Sequence, residues 1–151
     1  MGRLVRVQWV PRPVDEVFPF FAEPRNLAVI TPPWLGFRVV SDGDLSMRTG
    51  LRIEYRVSPL GFPQRWVSEI SRWDPPHAFV DEQRVGPYRR WHHLHRFEPR
   101  DGGTELVDEI DYEVPMGPLG RLIEPVLVAP RLRRIFDYRA RVIGDRFGVA
   151  R

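Results

Sequence analysis

The side chains best suited to chemistry lie in one short alternating segment and in an aspartate that follows it. His93 and His95 are two residues apart, so on a β-strand both imidazoles point to the same side. Asp108 follows in the next segment predicted to be a strand. A histidine held by a carboxylate can act as a general base, as in an enolisation or a dehydration, or it can orient a ligand. A purely structural hydrogen bond between His95 and Asp108 is an equally simple interpretation.

The same two histidines are also spaced to reach one metal ion. Residues i and i+2 of a strand can bind a single ion together, with Glu82 or Asp108 as the third ligand. No second metal-binding motif accompanies them in the sequence. We therefore expect no metal and no cofactor.

Composition excludes several other kinds of chemistry. The 151 residues contain no cysteine, and all 23 basic residues are arginine. Thiolate nucleophiles, disulfides, cysteine-ligated metals and Schiff-base lysines are therefore excluded. No serine lies in a recognisable nucleophile motif, and no glycine-rich phosphate-binding loop occurs in the sequence.

Charge and hydropathy limit the kinds of partner that the protein is expected to have. The formal net charge is +3, and acidic and basic residues are mixed along the chain, without the basic stripe of a nucleic-acid-binding protein. No run approaches the ~18 consecutive apolar residues that span a membrane, and the charges from Arg3 onward are unlike a secretory signal. We expect a cytoplasmic protein with no nucleic-acid partner and no stable membrane insertion. The sequence leaves the oligomeric state open.

The hydrophobic pattern predicts the strands that would carry these side chains. Alternation over residues 4–10 predicts a first strand whose buried face carries Val5, Val7 and Trp9. Two short helical segments follow, one around Val17 and one within residues 24–30. Alternation and turn residues then predict an antiparallel meander of six strands, which begins at Phe37 and continues over residues 51–57, 62–73, 78–85, 88–98 and 104–114.

The C-terminal part of the chain is predicted to form a long helix. Its apolar stripe consists of Leu132, Ile135, Phe136, Val142, Ile143 and Phe147. Pro125 and Pro130 predict a shorter helix before the main one. Strands segregated from one long helix indicate an α+β fold. We expect a single domain over residues 1–151, in which a curved antiparallel sheet of about seven strands wraps around the helix. A sheet that curls around one helix leaves a gap that suits a ligand.

Two predicted turns assign the side chains of three strands to two faces. A four-residue turn at 100–103 places His95 opposite Asp108, and a two-residue turn at Gly86-Pro87 places Glu82 opposite Trp91. The inner face then carries Val80, Glu82, Trp91, His93, His95, Phe97, Leu106, Asp108, Ile110 and Tyr112. The outer face carries Asp81, Arg90, His92, Arg96, Glu109, Asp111 and Glu113. A slip of one residue in either turn would exchange the faces.

Several segments, in order along nearly the whole chain, resemble the SRPBCC superfamily. PVDEVF (13–18), FAEPRNL (21–27) and ITPPWL (30–35) resemble its opening, and FVDEQ (79–83), GPY (86–88), WHHLHRF (91–97), GGT (102–104), DEIDY (108–112) and PMGPLG (115–120) resemble a bacterial branch. The superfamily includes START-like lipid-transfer domains, birch-pollen-allergen-type proteins and polyketide cyclase/dehydrase-like proteins. The resemblance implies a helix-grip fold with a cavity between sheet and helix that holds lipids, polyketides or other apolar molecules.

The expected function is to bind a hydrophobic or amphipathic small molecule, such as a lipid, a polyketide or an aromatic compound, in that cavity. One alternative is a polyketide cyclase/dehydrase-like enzyme that uses the inward His/Asp group. Another is a peripheral lipid carrier whose arginine-rich helix face meets an anionic membrane. We favour binding over catalysis. The residues expected to contact the ligand, with Trp34 as a lid, are Trp34, Glu82, Trp91, His93, His95, Phe97, Asp108, Ile110, Tyr112 and Phe136.

Overall fold

In the computed structural model, which describes residues 1–59 and 61–149, seven strands form one antiparallel sheet. The strands are β1 (Gly2–Val10), β2 (Arg38–Val39), β3 (Arg52–Val57), β4 (Gln64–Asp74), β5 (Ala78–Val85), β6 (Arg90–Arg100) and β7 (Gly103–Glu113). Their order in the sheet is β1-β7-β6-β5-β4-β3-β2. The predicted meander is therefore confirmed for β2 to β7, and β1 pairs with the last strand.

The helices also follow the predicted order. Helix α1 (Val14–Phe21) and two 3₁₀ helices (Pro24–Ala28 and Pro33–Leu35) lie between β1 and β2. At the C-terminal end, α2 (Gly117–Ile123) runs through a π-helical segment (Glu124–Val128) into α3 (Ala129–Phe147). Proline lacks the N–H group that an α-helical hydrogen bond needs. The π-helical segment, which has a wider turn, lies where Pro125 and Pro130 interrupt the α-helical hydrogen bonds. No helix in the described part of the chain combines the length and apolarity needed to cross a bilayer.

Helix α3 packs its apolar stripe against the inner face of the sheet. Leu132, Phe136 and Ile143 are buried, whereas Ile135 and Val142 are half-buried. The same stripe also carries a buried arginine, Arg139, which follows Phe136 by three residues and precedes Ile143 by four. The predicted helix-grip arrangement is confirmed, with one charged residue at its centre.

The face predicted for β1 is wrong. Val5 and Val7 lie on the outside of the sheet and are exposed. The alternate positions turn towards α3, where Arg6 forms an ion pair with Asp137 and Gln8 Nε2 donates to the carbonyl oxygen of Ala140 at 2.8 Å. Polar side chains can occupy these inward positions because the helix supplies their hydrogen-bond partners.

The register predicted for β6 and β7 is confirmed, because His95 lies opposite Asp108 and Arg100 lies opposite Gly103. The register predicted for β5 and β6 is off by one residue. Asp81 lies opposite His93, and Glu82 lies opposite His92. The turn between the two strands has four residues, 86–89, instead of the predicted two. This shift of one residue in the pairing places Asp81 on the inner face and Glu82 on the outer face.

Candidate functional site

A cavity of about 200 Å³ lies between the sheet and α3. Its lining comes from α1, the 3₁₀ segments, strands β3 to β6 and α3, and it is mostly aliphatic and aromatic. The volume is below the several hundred Å³ expected from the sequence. One reason is a packed aromatic group at one end, where the ring centroid of Trp91 lies 5.3 Å from that of Trp66 and 4.9 Å from that of Tyr88.

One wall of the cavity is polar, with Asp81, His93, His95 and Arg139 in its lining and Asp108 directly behind them, and we call these five residues the His/Asp cluster. His95 Nε2 lies 2.6 Å from Asp81 Oδ2, and His93 Nε2 lies 2.7 Å from Asp108 Oδ1. Arg139 Nη2 donates to the same Asp108 oxygen at 3.3 Å. The cluster therefore joins β5, β6, β7 and α3 through charged hydrogen bonds.

The two imidazoles are held rigidly within the cluster. The rings of His93 and His95 stack with centroids 3.6 Å apart. Phe79 stacks on the other side of His95 at 4.1 Å. A ring held between two others, with its nitrogens at fixed positions, presents a preorganised surface to a ligand.

Burial and neighbouring charges set the protonation of the cluster. Burial opposes ionisation of Asp108, but the Arg139 charge and the His93 hydrogen bond hold the pKa of Asp108 below its ordinary value. Burial also opposes ionisation of Asp81, and the hydrogen bond with His95 keeps the pKa of Asp81 lowered. Burial and the nearby His93 lower the pKa of His95 to about 4. Both carboxylates are therefore ionised at pH 7, and His95 is neutral.

These charges fix the tautomer of His95. An ionised carboxylate only accepts hydrogen bonds, so Nε2 carries the proton and donates to Asp81. Nδ1 then holds a lone pair. Among the described residues this atom has no hydrogen-bond partner, and the same holds for Arg139 Nε.

Four of the predicted site residues line the cavity: Trp91, His93, His95 and Phe136. Asp108 and Phe97 lie behind it, around a second void of only about 10 Å³. Ile110 and Tyr112 pack in the hydrophobic core beside Trp91. Their place on the inner face was predicted correctly, but neither of them lines the cavity.

The other two predicted residues lie away from the cavity lining. Glu82 is on the outer face, where Arg84 Nη2 is 3.6 Å from its carboxylate. Trp34 is partly exposed, and the guanidinium groups of Arg131 and Arg134 lie 5.7 and 5.2 Å from its ring. Arg131 also donates to the carbonyl oxygen of Pro59. These contacts tie α3 to the 3₁₀ helix Pro33–Leu35 and to the connection between β3 and β4.

Sequence reasoning missed Asp81 and Arg139. Arg139 could have been found, because Leu132, Phe136, Arg139 and Ile143 follow the i, i+4, i+7, i+11 spacing of one helix face. The face of the sheet on which Asp81 lies depends on the length of the turn after β5. There the side chain of Gln83 bonds to both backbone groups of Tyr88, at 2.6 and 3.1 Å.

The fold and the internal cavity define a helix-grip protein, and comparisons with known proteins identify the family. Residues 10–135 match the family described as polyketide cyclase / dehydrase and lipid transport. The chain therefore belongs to this family, as its resemblance to the SRPBCC superfamily implied. None of the curated proteins compared with it is a match.

Solved structures share the fold over almost the whole chain. Protein Ms6760 from Mycobacterium smegmatis is 23% identical with a TM-score of 0.66, over 95% of this chain and 88% of that one. Ginseng major latex-like protein 151 from Panax ginseng is 16% identical with a TM-score of 0.69, over 97% of each chain. A protein from Arthrobacter aurescens is 14% identical with a TM-score of 0.71, over 95% and 86%. At these identities the similarity establishes the fold alone.

Proposed function

We propose that the protein binds a small hydrophobic or amphipathic molecule in the cavity between the sheet and α3. The observation that carries this proposal is the mixed lining, in which mostly apolar walls surround the buried side chains of Asp81, His93, His95 and Arg139. Such a lining is typical of small-molecule sites, where apolar contacts supply affinity and a few polar groups fix orientation. A core packed only for stability would avoid these buried charges, since each one costs free energy.

The volume restricts the size of the ligand. An apolar cavity of roughly 150 Å³ holds benzene, so a cavity of about 200 Å³ suits a molecule of about one or two rings. A long-chain lipid or a multi-ring polyketide would require the walls to move apart. A compact aromatic or terpene-like ligand is therefore the class that fits without rearrangement.

The polar wall favours a ligand with one oxygen-bearing end. Arg139 lines the cavity, and its Nε has no hydrogen-bond partner in the described part of the chain. A hydroxyl or carbonyl oxygen would accept a hydrogen bond from this buried donor, which is costly to leave without one. The apolar part of the ligand would then lie against Phe136 and Trp91.

Binding is favoured over catalysis by the protonation of His95. General-base catalysis works best when the pKa of the base is near the working pH. Burial lowers the pKa of His95 to about 4, which leaves it unprotonated but weakly basic. A neutral imidazole of this kind is better suited to orienting a ligand than to removing a proton from carbon.

A peripheral lipid carrier has one observation in its favour. Leu119, Leu122 and Val126 occupy positions i, i+3 and i+7 at the start of the C-terminal helix, and all three are exposed. Such a stripe can insert into a membrane surface. Co-sedimentation with anionic phosphatidylglycerol vesicles tests this function, and Leu122→Glu should abolish the association if the stripe is responsible.

The binding proposal is tested with an environment-sensitive apolar dye and a matched pair of variants. Ile135→Phe adds volume at a half-buried position of α3 that lines the cavity, whereas Val128→Phe adds volume at a half-buried position outside the lining, in the π-helical segment just before α3. We expect the first variant to lose most dye binding and the second to retain it. Compact aromatic alcohols or ketones should displace the dye from the wild type.

Mass spectrometry of molecules that co-purify with the native protein would then identify the ligand class. Equal dye binding by wild type, Ile135→Phe and Val128→Phe would show that the dye does not occupy the cavity. Together with the absence of any co-purifying molecule, that result would contradict the proposal.

A further inference from the structure

Three potential metal ligands converge on the polar wall of the cavity. In the observed pairing of β5 with β6, Asp81 lies opposite His93, and His95 follows on the same face of β6. Asp81 Oδ2 lies 2.6 Å from His95 Nε2 and 3.8 Å from His93 Nδ1, and one ligand atom from each residue lies within 4.8 Å of the others. We propose that Asp81, His93 and His95 bind a divalent transition-metal ion. This departs from the expectation of no metal, which considered only Glu82 or Asp108 as the third ligand.

The opposite edges of both imidazoles have a carboxylate partner. Asp108 Oδ1 lies 2.7 Å from His93 Nε2 and 3.4 Å from His95 Nδ1. Histidines that bind a metal usually donate their other N–H to a carboxylate, which orients the ring and makes it a stronger ligand. Here one aspartate serves both rings, and Arg139 holds that aspartate from α3.

A metal also resolves an unfavourable contact. With Asp81 as the hydrogen-bond acceptor of His95, the lone pair of His95 Nδ1 faces an Asp108 oxygen at 3.4 Å without a proton between them. When a metal takes Nε2, the proton of His95 moves to Nδ1, which then donates to Asp108. His93 keeps its proton on Nε2 and offers Nδ1 to the ion, so both rings act as neutral ligands.

The charge balance of the cluster agrees with a bound cation. Among the described residues, the Asp108 carboxylate is paired with the Arg139 guanidinium, whereas the Asp81 carboxylate is paired only with the two imidazoles. Both histidines are at least nine-tenths buried, so an uncompensated negative charge beside them is costly. A divalent ion bound to Asp81 would supply positive charge beside that carboxylate. A proton shared within the cluster is the alternative source, and the experiment below separates the two.

The ligand set indicates the class of ion. Two imidazoles and one carboxylate suit zinc or ferrous iron rather than calcium or magnesium, which prefer all-oxygen sites. Three protein ligands leave coordination positions open, as in catalytic rather than structural zinc sites. All three residues line the cavity, so an oxygen atom of a bound molecule could reach the open positions.

Titration of chelator-treated protein with Co²⁺, followed by Zn²⁺ competition, tests the site. The wild type should bind one equivalent of Co²⁺, with visible absorption bands and no thiolate band, since the chain contains no cysteine. Asp81→Asn should weaken binding by at least about tenfold, and Asp108→Asn by about 10–100-fold. Glu82→Gln and His92→Gln, at neighbouring positions on the outer face, should bind as the wild type does.

The proposal is overturned if the wild type shows no saturable binding, if Asp81→Asn binds normally, or if Glu82→Gln weakens binding as much as Asp81→Asn does. X-ray absorption of the zinc-loaded wild type gives a test that needs no variant. It should show two imidazole ligands at about 2.0–2.1 Å, and fewer than two would overturn the assignment. Dye binding measured with chelator present reports on ligand binding separately, so the two proposals can fail independently.

Discussion

Arg139 reaches from the long helix to Asp108 on the last strand, with 3.3 Å between Nη2 and Oδ1. Both side chains are largely buried, at 8% and 14% exposure. The pair lies where the helix stripe would otherwise be apolar. A buried ion pair of this kind adds little net stability, but breaking it leaves one charge without a partner.

Replacing Arg139 with methionine should therefore destabilise the protein by about 3–5 kcal/mol, because Asp108 loses its guanidinium partner. The double variant Arg139→Met with Asp108→Asn should be more stable than the sum of the single variants predicts, since the uncompensated carboxylate is removed. Urea unfolding at pH 7 measures all three. Strict additivity would show that the two residues do not act as a pair.

Phe136 should be among the most sensitive residues of α3. Its side chain is 6% exposed and packs beside Trp91 and Leu132. Phe136→Ala should cost about 3–5 kcal/mol through lost burial and an enlarged cavity. Leu122→Ala, at a position on the same C-terminal helix that is 71% exposed, should change the free energy of unfolding by about 0.5 kcal/mol or less. A similar effect of both changes would contradict the packing described here.

Alkaline pH should destabilise the protein through the buried Tyr55 and the half-buried Tyr88. Burial raises the pKa of Tyr55 and of Tyr88 above the ordinary value of 10.0. The folded state therefore keeps these protons longer than the unfolded state does, so their contribution is intact below pH 10 and is lost as pH rises above it. Each tyrosine should contribute up to ~1.4 kcal/mol per pH unit in that window.

The chain contains no lysine and no cysteine, so tyrosine is the only type of side chain that titrates between pH 8 and the arginine range. The measurement therefore reports on the tyrosines directly. Urea midpoints at pH 9, 10 and 11 should fall more gently in Tyr55→Phe and Tyr88→Phe than in the wild type. Identical slopes in all three proteins would show that the tyrosines are not responsible.

Gly103 should not tolerate a side chain. A Cβ atom there would overlap the carbonyl oxygen of Val10 and the ring of Trp9. Gly103→Ala should destabilise by about 3 kcal/mol or more, because a backbone atom has to move. At Gly86 the three atoms nearest the added Cβ all belong to the Gln83 side chain, so Gly86→Ala should disturb the Gln83–Tyr88 bonds but cost less than Gly103→Ala, where a backbone oxygen is in the way. Thermal unfolding of the two variants compares them, and the reverse order would refute the steric argument.

How far the sequence predicts this site depends on the two turns beside β6. Asp101 and Gly102 both have positive φ, as a tight hairpin requires, and this Asp-Gly pair made the β6–β7 register predictable. The other turn is set by the bonds from the Gln83 side chain to Tyr88, a local contact that no short sequence motif predicts. The fold followed from strand alternation, the apolar stripe of the C-terminal helix and the resemblance to the SRPBCC superfamily. The shared face of His93 and His95 followed from alternation, whereas the inward placement of Asp81 required knowledge of that turn.

The pairing of the edge strand β1 with β7 has a consequence for the order of folding. Gly2 pairs with Tyr112, and Val10 pairs with Thr104. The first strand therefore cannot pair until a strand roughly a hundred residues further along the chain has been synthesised. The meander from β2 to β7 needs only neighbouring hairpins and can form first. During synthesis the first strand would emerge from the ribosome with Val5 and Val7 unpaired, and nascent chains would be vulnerable to edge-to-edge association until β7 appears.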